Sequence, residues 1–283
     1  MREGGMKAGA KKVATLLITG VLFFLCLNVP LVVRVGKADF KWQTITSYTT
    51  YFSENEEGRC ENIKIAALLI DKITVQAYGE FSFNKTVGRR TADAGFRQAK
   101  IIVNGEYVQG VGGGVCQVSS TLYNAVLKAG LTVTEFHPHS LRVGYIPPSR
   151  DAMVSTESDF CFFNPFDFPI RISTEVFSGG IKIAILGKGD GKRYELSSTV
   201  LEEILPPDPI VKEGEEEGKY LRSPKKGMKS ELFLETYLGE ALLSRKRLRA
   251  DVYMPVQGII IKKNDKPTNK ILSNDCLFFE KML

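Results

Sequence analysis

The glycine-rich segment "GVGGGVCQVSSTLYNA", residues 110–125, constrains the fold of this chain most strongly. Residues 116–129 follow a helical period, and Gly130 suits the left-handed residue that ends many helices. One side of that helix is apolar, at Val118, Leu122, Ala125 and Ala129. We therefore predict a helix that begins at a glycine turn, with Cys116 at its N-terminus.

This placement favours a reactive cysteine. The N-terminus of a helix carries unpaired N–H groups and a partial positive charge, which lower the pKa of a thiol. The N–H groups of Cys116 and Gln117 are predicted to stabilise an oxyanion, and Gly113 and Gly114 to let a substrate backbone approach closely. Opposite the apolar stripe, Ser120 and Tyr123 share the face of Cys116, so we expect these three side chains to line a cleft.

The chain contains two histidines, His137 and His139 in "TEFHPHSLRVGYIPP". Glu135, His137 and His139 alternate onto one face of an extended segment. A helix over 116–129 covers about 20 Å, and a strand over 131–137 covers about 22 Å. A strand that folds back along the helix would bring both histidines level with Cys116. Three further residues are candidates: Glu135 or Asp151 to orient the imidazole, and Arg150 to bind a substrate carboxylate.

Other interpretations stay open at this point. A lone cysteine is most often a small buried hydrophobe, and "HPH" is compatible with an ordinary surface turn. Cys116, His137, His139 and Cys161 together could also form a zinc site, although their spacing resembles no common zinc motif. We predict no metal and no cofactor.

The N-terminal region predicts the location of the protein. Between Lys12 and Arg34 lie 21 residues without a charge, about the number that a membrane-spanning helix needs. The basic residues within 1–12 favour a cytoplasmic N-terminus, a membrane anchor at 13–33 and an extracellular C-terminal domain facing the cell wall. A cleaved signal peptide is the alternative. The net charge of +6 does not indicate a nucleic-acid partner.

The remaining patterns predict an α+β fold, in which a mixed, largely antiparallel sheet packs with the cysteine helix. A second helix is expected in "ENIKIAALLIDKI", with Ile63, Ala66, Ala67 and Ile70 on its buried face. We expect a hairpin through Asn104-Gly105, and two strands, "FPIRISTEVF" and "IKIAILG", joined at Gly179-Gly180. Residues 34–59 form a connector, 200–263 a small β-rich module and 264–283 a tail.

Four stretches resemble the VanW domain: "GEFSFNKTVGRRTADAGF", "IIVNGEYVQGVGGGVCQVSSTLYNAVLKAGL", "EFHPHSLRVGYIPPSRDAMV" and "FFNPFDFPIRI". The resemblance covers roughly residues 60–187. Residues 200–263 weakly resemble the glycine-containing β module of the G-five type that often follows such domains.

Some VanW proteins are L,D-transpeptidases of peptidoglycan. The resemblance therefore implies that Cys116 attacks a stem-peptide carbonyl and that His137 or His139 protonates the leaving amine. It predicts a membrane-anchored cysteine acyltransferase whose partners are peptidoglycan stem peptides and the cytoplasmic membrane. The alternative is a non-catalytic protein that binds the cell wall or assists vancomycin resistance.

Overall fold

A computed structural model describes residues 41–103, 105–214 and 216–263. The predicted anchor at 13–33, Asn104 of the predicted hairpin turn and the tail at 264–283 lie outside the described residues. Within the described ranges, no helix combines the length and apolar character needed to cross a membrane.

The described elements alternate between short helices and strands before continuing as strands alone. In chain order they are β1 (Gln43–Tyr51), α1 (Glu57–Ile70), β2 (Thr74–Val75), β3 (Glu80–Ser82), α2 (Phe83–Val87), β4 (Gln98–Val103), β5 (Glu106–Val111), α3 (Val115–Lys128), β6 (Thr132–Glu135), β7 (Cys161–Phe163), β8 (Ile170–Phe177), β9 (Gly180–Gly187), β10 (Arg193–Ile204), β11 (Ile210–Gly214), β12 (Tyr220–Arg222), β13 (Gly227–Leu238), β14 (Ala241–Tyr253) and β15 (Ile259–Lys263).

A four-stranded antiparallel sheet, in the order β1-β9-β8-β2, supports the two longer helices. Its central strands β8 and β9 are the predicted pair, and their alternate isoleucines are completely buried. The edge strand β1 comes from the segment predicted as a connector. Helix α1 packs on β8, and α3 packs on β1 and β9, so the sheet fixes the helix that carries Cys116.

The helix predictions are confirmed in their positions. On α1 the four predicted face residues are all buried: Ile63, Ala66, Ala67 and Ile70. Helix α3 begins at Val115, one residue before Cys116. Strands β4 and β5 form the predicted hairpin, with Val103 opposite Glu106.

Helix α3 is buried on almost every side, which corrects the prediction of one core face and one cleft face. Twelve of its 14 residues are buried, including polar ones. An extended segment, residues 150–154, covers the polar face: Ser119 Oγ donates to Ala152 O at 2.6 Å, and Asn124 Nδ2 donates to Arg150 O at 2.7 Å. Hydrogen bonds to a passing backbone let this polar face be buried.

The C-terminal strands form two further sheets, β10-β13-β14, which is antiparallel, and β11-β15-β12, in which β11 and β15 are parallel. Strand β10 runs through residue 200, where we expected the C-terminal module to begin. Leu196 of β10 and Leu232 of β13 join the core around α3. The described chain therefore has an α+β fold with largely antiparallel sheets, as predicted.

Candidate active site

The glycine turn before α3 is shaped by close packing within the protein. Gly112 has a φ of 90° and Gly114 a φ of 108°, a region that strongly favours glycine. A Cβ on Gly113 would lie 2.5 Å from the carbonyl oxygen of Lys100, and one on Gly114 would lie 3.0 Å from Arg59 O. Part of the space that we assigned to a substrate backbone is therefore filled by β4 and α1.

Cys116 lines a cavity of about 730 Å³ together with residues of the glycine turn, His139 and Tyr145. Its half-buried Sγ lies 3.5 Å from Val154 N, which donates to it, and 3.4 Å from Val154 O. The ring of His139 faces the thiol. Burial alone would raise the pKa of Cys116, but hydrogen bonding and charge from His139 outweigh burial and lower it.

His139 is held by a buried carboxylate. Asp151 Oδ2 lies 2.7 Å from the ring Nδ1 and accepts the backbone N–H of His139, also at 2.7 Å. Only 5% of His139 and 1% of Asp151 are exposed. Burial would lower the pKa of His139, but the hydrogen bonds to Asp151 and Cys116 raise it to about 9. Burial would raise the pKa of Asp151, but the hydrogen bonds and charge of His139, together with the charge of Arg249, lower it to about 2.

The second oxygen of Asp151 is held by the C-terminal strand β14. Tyr253 Oη donates to Asp151 Oδ1 at 2.5 Å, and Arg249 Nη2 lies 3.6 Å from the same oxygen. Arg249 Nη1 also donates to the backbone oxygen of Asp151 at 2.6 Å. Asp251 in turn accepts from Arg249 Nε at 2.7 Å. The carboxylate is thus oriented by residues about 100 positions further along the chain.

The other predicted histidine and carboxylate pair with each other away from the cysteine. His137 Nε2 lies 3.0 Å from Glu135 Oε1, and the side chain of His137 is 39% exposed. Glu135 Oε1 also accepts the N–H of Asp159. The expectation that both histidines reach Cys116 is wrong for His137, because β6 ends at Glu135 and the alternation of side chains ends with it.

Arg150 is turned towards the C-terminal strands instead of the cavity. Its Nε donates to Ser198 Oγ at 2.9 Å and its Nη2 to Leu196 O at 2.5 Å. Both partners belong to β10. This arginine therefore joins the segment covering α3 to the C-terminal sheet, and it does not take the predicted role of binding a substrate carboxylate.

Two of the residues predicted to share the cleft with Cys116 are structural. Tyr123 is 1% exposed and packs between Phe136 and Phe160. Ser120 Oγ is buried and accepts the N–H of Ala152 at 2.9 Å.

Gln117 lines the cavity with its side chain already bound on both ends. It accepts from Arg59 Nη2 at 2.6 Å and donates to Thr50 Oγ1 and Tyr51 O, each at 3.0 Å. Its backbone N–H donates to Gly114 O at 2.9 Å, so that N–H is not free for an oxyanion. The N–H of Cys116 has no acceptor among the described residues. It is therefore better placed than the N–H of Gln117 to donate a hydrogen bond to an oxyanion.

Tyr145 and Arg90 line the cavity and were not among the predicted site residues. Tyr145 places its ring 5.8 Å from the guanidinium carbon of Arg59, and burial, then the charge of Cys116, raise the pKa of its hydroxyl. Arg90 reaches the cavity from the loop after α2. Both belong to stretches quoted above, "RVGYIPP" and "VGRRTADAG", but nothing in the sequence separates them from neighbouring surface residues.

The zinc arrangement considered above is not formed in the described part of the chain. No group of three or more His, Cys, Asp and Glu side chains there is placed to hold a metal ion. Cys60, Cys116 and Cys161 are free thiols. Burial, and then Asp159, raise the pKa of Cys161 to about 12. Among the described cysteines, the lowered pKa and the neighbouring imidazole belong to Cys116 alone.

A thiol beside an imidazole that is held by a carboxylate is the arrangement that cysteine acyl-transfer enzymes use. The pKa of the thiol is lowered and that of the imidazole is raised, and both shifts favour a thiolate–imidazolium pair. The protein therefore has a cysteine–histidine–aspartate centre on an α+β scaffold.

Part of the chain is similar to known proteins. Residues 58–186 match the family described as VanW like protein. It is 44% identical over 149 residues to the uncharacterized protein YoaR of Bacillus subtilis, which covers 52% of this chain and 49% of YoaR. It is 26% identical over 87 residues to the vancomycin B-type resistance protein VanW of Enterococcus faecalis, which covers 31% of this chain and 32% of that protein.

The matches span about half of YoaR and about a third of VanW. No solved structure matches the chain. The family match ends at residue 186. Arg249 and Tyr253 therefore complete the site from outside the matched domain.

Proposed function

We propose that this protein is an exported, membrane-anchored cysteine acyltransferase that acts on peptidoglycan stem peptides. The arrangement of Cys116, His139 and Asp151 at the wall of an open cavity carries the proposal. The similarity to a vancomycin resistance protein and the uncharged run at 13–33 support an envelope substrate and a membrane location.

In the first half-reaction, the Cys116 thiolate attacks the carbonyl carbon of a stem-peptide amide. The carbon–nitrogen bond breaks, a thioester forms, and the leaving amine takes the proton of the His139 imidazolium. The Cys116 N–H stabilises the oxyanion of the tetrahedral intermediate.

In the second half-reaction, the amine of another stem attacks the thioester. Neutral His139 accepts the proton of that amine, an amide cross-link forms, and Cys116 leaves as the thiolate. Asp151 stays ionised throughout and keeps the imidazole in the orientation that both steps need. Water in place of the amine would give simple hydrolysis.

The test uses purified muropeptides with tetrapeptide stems. The wild-type protein and the Cys116→Ala variant are incubated with them, and products and intact proteins are analysed by mass spectrometry. We expect cross-linked dimers and a transient acyl adduct with the wild-type protein alone. Equal product from both proteins would refute the assignment of the nucleophile. Binding to purified sacculi without turnover by either protein would favour the non-catalytic alternative.

A further inference from the structure

Arg90 is packed against the glycine turn at the wall of the Cys116 cavity. It lies in the loop between α2 and β4, and its Cβ would be 3.0 Å from a Cβ on Gly112. Arg90 and Cys116 both line the cavity and are close enough for their charges to interact.

The charged end of Arg90 lacks the partners that a buried cation normally has. Nη1 makes one long hydrogen bond, 3.4 Å to Gly88 O. Nη2 is buried and has no hydrogen-bond partner, and within the described residues no carboxylate lies within 4.0 Å of this guanidinium. Burial lowers the pKa of Arg90, which agrees with a poorly solvated cation. The charges of Cys116 and Asp159 act on Arg90 without forming an ion pair with it. A partly buried cation that lacks a paired anion is stabilised by a ligand that supplies one.

The other positively charged side chains that line the cavity are either already paired or well exposed. Arg59 is already bound to Gln117 at 2.6 Å. Lys100 lies 3.4 Å from Glu56 and is well exposed. Arg89 also lines the cavity, but it is exposed to solvent. Arg90 is thus the partly buried arginine of the cavity with a buried, unpaired N–H group. The planar fork of a guanidinium matches a carboxylate with two parallel hydrogen bonds.

We propose that Arg90 is the anion-binding residue of the Cys116 cavity and that it holds a carboxylate of the acyl donor. The identity of the anion as a carboxylate of the acyl donor rests on the proposed function, whereas anion binding by Arg90 does not. It gives Arg90 the role that the sequence had suggested for Arg150, and it predicts that donors with a free carboxylate near the scissile bond react faster than their amides.

Two alkylating reagents of the same size test the anion site without any substrate. Iodoacetate is an anion and iodoacetamide is neutral, and each transfers its CH₂ carbon to the thiolate with loss of iodide. Rates at Cys116 are measured by peptide mass spectrometry on the full chain for wild type, Arg90→Gln, Arg90→Lys and Arg142→Gln. Arg142 is exposed and lies outside the cavity lining, so its variant controls for the loss of one positive charge. Cys60 is a reference thiol within each sample.

We expect Arg90→Gln to lower the ratio of iodoacetate to iodoacetamide rates at Cys116 by about ten- to a hundredfold, the range for a hydrogen-bonded charge pair. Arg90→Lys should give an intermediate ratio, and Arg142→Gln should keep the wild-type ratio. The ratio at Cys60 should not change. An unchanged ratio in Arg90→Gln, or an equal fall in Arg142→Gln, would overturn the anion site while leaving the proposed reaction standing.

A second measurement separates failure of the anion site from failure of the nucleophile. If Cys116 reacts with neither reagent, the proposed function fails, and the anion site is then tested by thermal unfolding with N-acetylglycine and with its neutral amide. The acid should raise the melting temperature of the wild-type protein and leave that of Arg90→Gln unchanged. Equal effects on both proteins would refute the role of Arg90.

Discussion

Asp151→Asn removes the negative charge that faces the buried imidazole of His139 and changes little in volume. The wild-type carboxylate accepts both the ring Nδ1–H and the backbone N–H of His139, each at 2.7 Å. An asparagine can accept at one oxygen only, so its NH₂ group opposes either the ring or Tyr253, which donates to the other oxygen.

The size of the effect follows from the pKa of His139. Its rise from the ordinary value of 6.5 to about 9 corresponds to about 3.4 kcal/mol in favour of the imidazolium. Burial opposes that stabilisation, and Asp151 and Cys116 share it, with the hydrogen bond to Asp151 the largest single favourable contribution. A hydrogen bond between charged groups contributes about 1.5–3 kcal/mol, so we expect the pKa of His139 in Asp151→Asn to fall by about one to two units, to about 7–8.

Proton NMR titration measures this directly, because the chain has two histidines. The exposed His137 is an internal reference, and a His137→Ala variant assigns the signals. In wild type the His139 signal should titrate with a midpoint near 9, and in Asp151→Asn with a midpoint about one to two pH units lower. A His139 midpoint that is the same in both proteins would refute the role of Asp151.

Two further substitutions test the scaffold. Gly113→Ala places a Cβ 2.5 Å from Lys100 O, so it should lower the free energy of unfolding by about 1–3 kcal/mol in chemical denaturation. Gly144→Ala, where a Cβ meets nothing within 4 Å, should have almost no effect, and equal effects of the two would contradict the packing argument. Tyr253→Phe leaves the buried N–H of Ser149 without its 2.7 Å acceptor. We expect a loss of about 1–3 kcal/mol and a lower melting temperature, and an unchanged value would contradict this account.

The start of the cysteine helix could be predicted from sequence because its signals are local. Three glycines and the apolar period after them define where α3 begins, and the same kind of period identified the buried face of α1. The strands β8 and β9 alternate and meet at a glycine pair, which is also a local signal. These elements lie where the sequence predicted them.

The choice between the histidines could not be made because it depends on where a short strand ends. Alternation holds through Glu135, and beyond it Pro138 separates His137 from His139 in irregular chain. The two rings consequently enter different environments, one half-exposed beside Glu135 and one buried beside Asp151. A period of two predicts a shared face only while the strand continues.

The residues that hold Asp151 in place could not be predicted from the sequence for a different reason. Arg249 and Tyr253 lie on β14, about 100 residues after the carboxylate they hold, in the region that the sequence predicted only as a β-rich module. Such contacts depend on how the C-terminal sheet packs on the rest of the chain, and no local pattern of residues encodes that arrangement. The polar residues on α3 were misjudged similarly, since their partners are backbone atoms of residues 150–154.

The pH dependence of Cys116 alkylation by iodoacetamide, compared between wild type and His139→Ala, tests the central claim most directly. In wild type we predict a midpoint below 9.0, the ordinary value, because the imidazolium stabilises the thiolate. Without that ring, burial should dominate and move the midpoint above 9.0. A wild-type midpoint at or above 9.0, or the same midpoint in both proteins, would contradict a thiolate–imidazolium pair.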